Sequence, residues 1–213
     1  MEFTRLLEIV GDEPVFDTAL LLAGDVDPAH VRRQLSRWTK SGRLYQLRRG
    51  LYALAPPFQK TKPHPFLVAN RMVRPSYVSR QSALAYYGLI PEHVPVVTSV
   101  TTARPGRWDT PLGCYGFRHI KADLWRGYRL LDLGGGQQAF VAAPEKALLD
   151  LVYLQPGGDA PAYLRELRLQ NLDRLDLDDL HRQADLAASP KLQRAATHVA
   201  ALARSEAQKY ETL

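Results

Sequence analysis

The chain has 213 residues, 46% of them hydrophobic and 23% charged, which suffices for a buried core and argues against disorder. Its 28 basic and 22 acidic side chains leave a net charge of +6, a balance that suits a polyanionic partner. No apolar run approaches the roughly 18 residues of a spanning helix, and no charged-then-apolar leader opens the chain. The single cysteine, Cys114, excludes an internal disulfide and is expected to be a buried, inert thiol. The expectation is a soluble, cytoplasmic protein with no membrane partner.

In Glu2 to Val10 the apolar residues Phe3, Leu6, Leu7 and Val10 recur at three- and four-residue spacing, which predicts an amphipathic helix closed by Gly11 and Pro14. A short apolar helix over Thr18 to Ala23 follows, with Asp17 placed to cap it and Gly24 to stop it. Asp27-Pro28 is a strong start signal, an acidic N-cap before a proline at the first helical position. This third helix runs to Ser41 and ends at Gly42. Its Val31, Leu35 and Trp38 form one buried stripe, and His30, Arg32, Arg33, Ser36, Arg37 and Lys40 occupy the remaining faces. Two β-prone runs, Leu44 to Leu47 and Leu51 to Leu54, flank Arg48-Arg49-Gly50 and predict a hairpin. Three helices and a basic hairpin are the order of a winged helix-turn-helix.

Pro56, Pro57, Pro63 and Pro65 punctuate a basic linker. The chain therefore divides into a winged helix-turn-helix at 1–58, a Pro-rich linker at 59–66 and a second domain at 67–213. Helices are expected over Pro65 to Met72 and Ser79 to Tyr87, the latter capped by Ser79 and stopped by Gly88. Strands are expected over Val94 to Thr102, Cys114 to Ile120 and Gln137 to Ala142. Pro144 opens a largely apolar helix, and the pattern is helical from Pro161, with a last helix starting at Ser189-Pro190. The fold class is α+β: an N-terminal winged helix-turn-helix, then an α+β domain with a helical tail.

Charge is segregated along this frame. From Pro28 to Pro91 there are twelve Lys or Arg and no Asp or Glu, leaving 16 basic and 22 acidic side chains in the other 149 residues. A solvated surface normally mixes both signs, so the run marks a face that meets a polyanion. Arg32, Arg33, Ser36 and Arg37 are the candidates for base edges, because arginine presents two parallel donors to guanine and serine is an adaptable partner. Lys40, Arg43, Arg48 and Arg49 are placed to contact phosphates, which a wing reaches more readily than base edges. Lys60, Lys62, Arg71, Arg74 and Arg80 continue the run and could extend the DNA footprint beyond the wing.

Catalytic constellations are weak. Gly134-Gly135-Gly136 is followed by Gln137-Gln138, where a phosphate-binding loop needs Lys and Ser/Thr, so a turn between strands is expected. Neither GxSxG nor HExxH occurs, and His119, sharing a strand face with Phe117, is expected to be a half-buried, satisfied histidine. Glu145, Lys146 and Asp150 could serve a metal-dependent nuclease, but Glu145 and Lys146 point about 100° apart on a helix, and charge compensation at the helix start accounts for Glu145. No enzymatic activity, cofactor or metal is expected.

The segments Tyr77 to Pro91 (YVSRQSALAYYGLIP), Val97 to Thr102 (VTSVTT), Tyr115 to Lys121 (YGFRHIK) and Ala143 to Asp150 (APEKALLD) resemble, in this order, those of the AbiEi-type antitoxins of type IV toxin–antitoxin systems. With the winged-helix start, the resemblance covers about residues 3 to 155. It implies a transcriptional autorepressor that binds inverted repeats at its own promoter as double-stranded DNA, with two copies on DNA. It also implies an antitoxin countering a nucleotidyltransferase-like toxin, a functional partner that need not form a stable complex. The family's DNA-facing positions carry over to Arg32, Arg33, Arg37, Arg48 and Arg49. A standalone regulator whose second domain senses a ligand is the alternative reading, and the nuclease is the third.

Overall fold

A computed structural model describes residues 1–23, 26–92 and 94–211, the last five as backbone, so the expected stop at Gly24 lies outside the described residues. Helix α1 (Phe3–Val10) buries Leu6 and Val10 and ends at Gly11, whose φ of +57° favours glycine. A two-residue strand, β1 (Phe16–Asp17), leads into α2 (Thr18–Leu21), which is shorter than the sequence suggests. Asp17 does not cap α2 through its side chain. Its carboxylate instead meets Arg71 at 3.3 Å.

Helix α3 (Pro28–Lys40) starts as its sequence dictates. The Asp27 carboxylate accepts from the backbone N–H groups of Ala29 at 2.8 Å and His30 at 3.1 Å, satisfying two donors that have no partner inside the helix. Val31, Leu35 and Trp38 are its buried residues. The hairpin follows as β2 (Leu44–Arg48) and β3 (Leu51–Leu54), antiparallel across an Arg49-Gly50 turn. Gly50 has φ +83°, and the Thr18 backbone N–H donates to its carbonyl at 2.8 Å, pinning the turn to α2. β1 adds to the free side of β3, giving a three-stranded sheet in the order β1-β3-β2. This is a winged helix with a short third strand.

Every residue of β3 is buried, because the strand is covered on both faces. Tyr52 and Leu54 pack with Leu6, Val10, Phe16, Val31, Leu35 and Trp38 in one hydrophobic cluster. Leu51 and Ala53 alternate to the other face and join Val15, Leu47, Phe66, Val68 and Tyr77 in a second, larger cluster. One strand thus contributes to both cores.

The larger cluster is built on a six-stranded mixed sheet in the order β6-β7-β5-β4-β9-β8. Its strands are β4 (Ser76–Val78), β5 (Val96–Thr101), β6 (Gly106–Thr110), β7 (Gly113–His119), β8 (Tyr128–Asp132) and β9 (Gln138–Ala142). β5 and β7, and β4 and β9, pair parallel, whereas the other neighbours are antiparallel. Helices α4 (Pro65–Met72), α5 (Arg80–Tyr86) and α6 (Pro144–Leu154) pack on it, and α7 (Pro161–Glu166), α8 (Leu177–Leu186) and α9 (Pro190–Glu211) form the helical tail. Helices and mixed sheets make the fold α+β.

Polar side chains hold this core at places the sequence did not indicate. Ser79 precedes α5 without capping it, and its hydroxyl donates instead to the Asp150 carboxylate at 2.7 Å. Tyr77 Oη donates to the same oxygen at 3.1 Å, and Lys146 Nζ donates to the other at 2.5 Å. Burial raises the Asp150 carboxyl above the usual carboxylate range, against the pull of Lys146 and the two hydroxyls. Glu145 is also buried, and its Oε1 accepts the Asp176 backbone N–H at 2.9 Å, so it ties α6 to the tail rather than serving only as a solvated charge at a helix start. Gln137 bridges the Pro-rich stretch to the sheet, accepting from His64 N–H at 2.7 Å and donating to Lys62 O at 3.0 Å. Gly134, Gly135 and Gly136 all have positive φ and form the β8–β9 turn. His119 is exposed rather than half-buried, because it sits at the end of β7, where its Nδ1 lies 3.2 Å from Ala103 O. Cys114 is half-buried rather than buried, on a strand next to edge strand β6, and hydrogen bonding to Asp109 raises its thiol above the usual value.

Leu51→Ala, which opens a cavity in the larger cluster, is expected to lower unfolding free energy by about 2–5 kcal/mol, and because strand β3 is common to both clusters, urea denaturation should still give one transition by fluorescence and by circular dichroism. Lys146→Met leaves Asp150 buried without its counter-charge and should cost about 3–5 kcal/mol in the same measurement.

Candidate nucleic-acid interface

At roughly 100° per residue, Arg32, Arg33, Ser36, Arg37 and Lys40 cover an arc of about 140° centred opposite the Val31, Leu35 and Trp38 stripe. All five are exposed. The burial of the stripe therefore fixes which way the basic face points, and packing rather than charge orients the helix. Arg33 lies 3.6 Å from the Asp27 carboxylate that caps the same helix. Arg32, Arg37 and Lys40 make no ion pair among the described residues.

The wing presents Arg48 and Arg49 differently. Arg49 is exposed in the turn fixed by Thr18, whereas Arg48 is half-buried at the end of β2, with its Nε shielded from water and unpartnered. Arg43 precedes β2, and its guanidinium lies 5.0 Å from the centroid of the Phe3 ring, which itself packs edge-on against Trp38 and Phe58. That cation–π contact holds Arg43 near the helix without neutralising it.

The continuation of the basic run is less uniform than its sequence. Lys62 and Arg74 are exposed, with no ion pair among the described residues. Lys60 pairs with Asp12 at 3.3 Å. Arg71 is half-buried, reaching Asp17 Oδ2 at 3.3 Å and Val15 O at 3.5 Å, so it ties α4 to the winged helix. Arg80 is half-buried with φ +58°, and burial, then the neighbouring Arg118, pulls its guanidinium below the ordinary arginine range. The structure thus groups the α3 residues on one exposed face and gives Arg71 a structural contact.

Sequence reasoning missed Thr18 and Phe3 as supports of the interface, and it missed the second contact of Asp27. Nothing local in the sequence marks Thr18, because its partner, Gly50, lies 32 residues away. The nuclease constellation does not assemble as one unit. Glu145 faces the Asp176 backbone, and Asp150 is enclosed by Lys146, Ser79 and Tyr77. No group of three or more His, Cys, Asp or Glu placed to hold a metal ion occurs among the described residues. Among the same residues, no helix is long and apolar enough to cross a membrane.

Residues 24–55 match the family model described as "Transcriptional regulator, AbiEi antitoxin". None of the curated proteins compared with the chain matches it. The matched segment takes in α3, β2 and β3, and ends before the four later segments, Tyr77 to Asp150, that carry the resemblance noted from sequence. Over its helix α3 and wing, the chain is similar to the AbiEi antitoxin type of transcriptional regulator.

Proposed function

We propose that the protein is a sequence-specific DNA-binding antitoxin that represses its own operon, in a type IV system whose toxin is nucleotidyltransferase-like. The observation that carries this reading is the exposed basic arc of α3, backed by a buried stripe and followed by a pinned basic wing. In this reading α3 enters the major groove, where Arg32, Arg33, Ser36 and Arg37 meet base edges. Lys40, Arg43, Arg48 and Arg49 meet phosphates, and Lys62 and Arg74 lengthen the footprint. Residues 1–58 bind DNA, 59–66 link, and 67–213 form the antitoxin part, which counters the toxin without a catalytic step assigned to it. Two copies occupy an inverted repeat.

The two exposed ion pairs of the basic run do not oppose this reading. Surface pairs such as Arg33 with Asp27 and Lys60 with Asp12 contribute at most about 1 kcal/mol, so a phosphate can replace the carboxylate.

Mobility shifts on the DNA upstream of the gene, at two salt concentrations, test the DNA-binding part. Arg37→Ala should lose about 1–3 kcal/mol for the cognate site and relax specificity there, whereas Arg49→Ala should weaken all DNA alike and reduce the salt slope by about one. Salt-insensitive binding, or none, would overturn the reading. Co-expression with the product of an adjacent nucleotidyltransferase gene tests the antitoxin part, with restored growth expected. Asp27→Asn keeps one of the two N-cap acceptors and removes the charge beside Arg33. It should cost about 0.5–1 kcal/mol of stability and tighten DNA binding, measured by denaturation and mobility shift.

A further inference from the structure

We propose that the groove between α4 and the β8–β9 edge of the large sheet is a binding site for a planar aromatic anion. The groove holds about 450 Å3, inside the roughly 300–1,000 Å3 of small-molecule sites. Its aromatic wall is Trp125, Tyr128 and Phe140. Tyr128 meets Phe140 edge-on at 5.7 Å and Trp125 at 5.3 Å. Tyr77 stacks behind Tyr128 at 4.6 Å and is itself held by Asp150, so the wall has a rigid second layer. Phe140 is 45% exposed and Leu130, also in the lining, is 50% exposed. Large apolar side chains left in water beside a concave aromatic wall are the mark of a binding surface.

The polar groups of the groove specify the charge of the occupant. Arg71 and Arg74 line it, and among the described residues no Asp or Glu does. Ser76, only 6% exposed, lines it with an Oγ that has no hydrogen-bond partner among the described residues, and Arg71 Nε has none among them either. A guanidinium Nε–H only donates and a serine hydroxyl can donate, so an acceptor completes both, and beside two guanidinium groups that acceptor is an oxyanion. Both atoms are screened from water. Contact with the oxyanion requires the Ser76 hydroxyl to turn toward the groove and Arg71 to shift in its contact with Asp17. Asn70 takes no part in recognition, because its amide is spent on the Phe140 backbone, accepting from N–H at 2.5 Å and donating to C=O at 3.4 Å.

An aromatic carboxylate and a nucleoside monophosphate share this chemistry, a flat ring with an anionic oxygen. Isothermal titration of the full chain with benzoate, 1-naphthoate, AMP and UMP separates them. At least one should bind with a dissociation constant between about 1 μM and 1 mM. Binding by the two carboxylates alone or by the two nucleotides alone identifies the source. Arg74→Ala and Phe140→Ala alter exposed side chains and should preserve the circular dichroism spectrum, and each should weaken that ligand at least tenfold; Ser76→Ala should weaken it as well. No heat with any of the four at about 5 mM, or binding unchanged in both Arg74→Ala and Phe140→Ala, overturns the proposal. The titration is read on the free protein, so its failure is distinguishable from a failure of the operator measurements; Arg74 belongs both to the proposed footprint and to the groove, and Phe140→Ala, outside the footprint, tells the two apart.

Discussion

The burial of β3 on both faces is the constraint on which the rest of the molecule depends. A strand with alternating side chains serves two cores only if each face meets a complementary layer, and here Tyr52 and Leu54 meet the helices while Leu51 and Ala53 meet the large cluster. The wing grows out of that strand, so its position is set by packing on both sides rather than by the hairpin alone, which would be marginal in isolation. Thr18 then fixes the turn by holding the Gly50 carbonyl. Arg32, Arg33, Arg37, Lys40 and Arg48 sit on a helix and a strand held by packing, which lowers the ordering cost of binding.

The fold also redistributes charge that the sequence keeps apart. The acid-free run begins just after Asp27, yet Asp12, Asp17 and Asp27 return to it as partners of Lys60, Arg71 and Arg33. Two of these pairs are exposed and weak, and the third is partly shielded and stitches α4 to the winged helix. Linear charge counting therefore overstates the free positive surface while locating it correctly on α3.

What was legible in the sequence is what local physics determines. Asp27-Pro28 marked the start of α3, the spacing of Val31, Leu35 and Trp38 marked its buried side, and Gly50 marked the turn. β4, β6 and β8 carry no local strand signal. β4 has only three residues, β6 carries a single large apolar side chain, Trp108, and β8 places Leu130 and Leu131 side by side, which breaks the alternation that identifies a strand. A serine before a helix usually caps it, so the sequence at Ser79 suggests a cap. Its partner, Asp150, lies 71 residues away, and no local pattern reports such a contact. The basic candidates of the site were legible from composition, but the structural role of Arg71 was not, because its partner Asp17 lies outside the run.

The shared strand also bears on how two molecules could stand together on DNA. The Pro-rich stretch reads as a tether, and a flexible tether would let each winged helix search for its own half-site. With Leu51 and Ala53 embedded in the core that contains Tyr77, and Gln137 clasping Lys62 and His64, that stretch spans a packed contact instead. If two copies occupy an inverted repeat as proposed, and if they also touched through residues 67–213, that contact would hold their α3 helices at one separation. The number of base pairs between half-sites would then be dictated by the body of the protein, and inserting half a helical turn of DNA between them could not be absorbed by the linker.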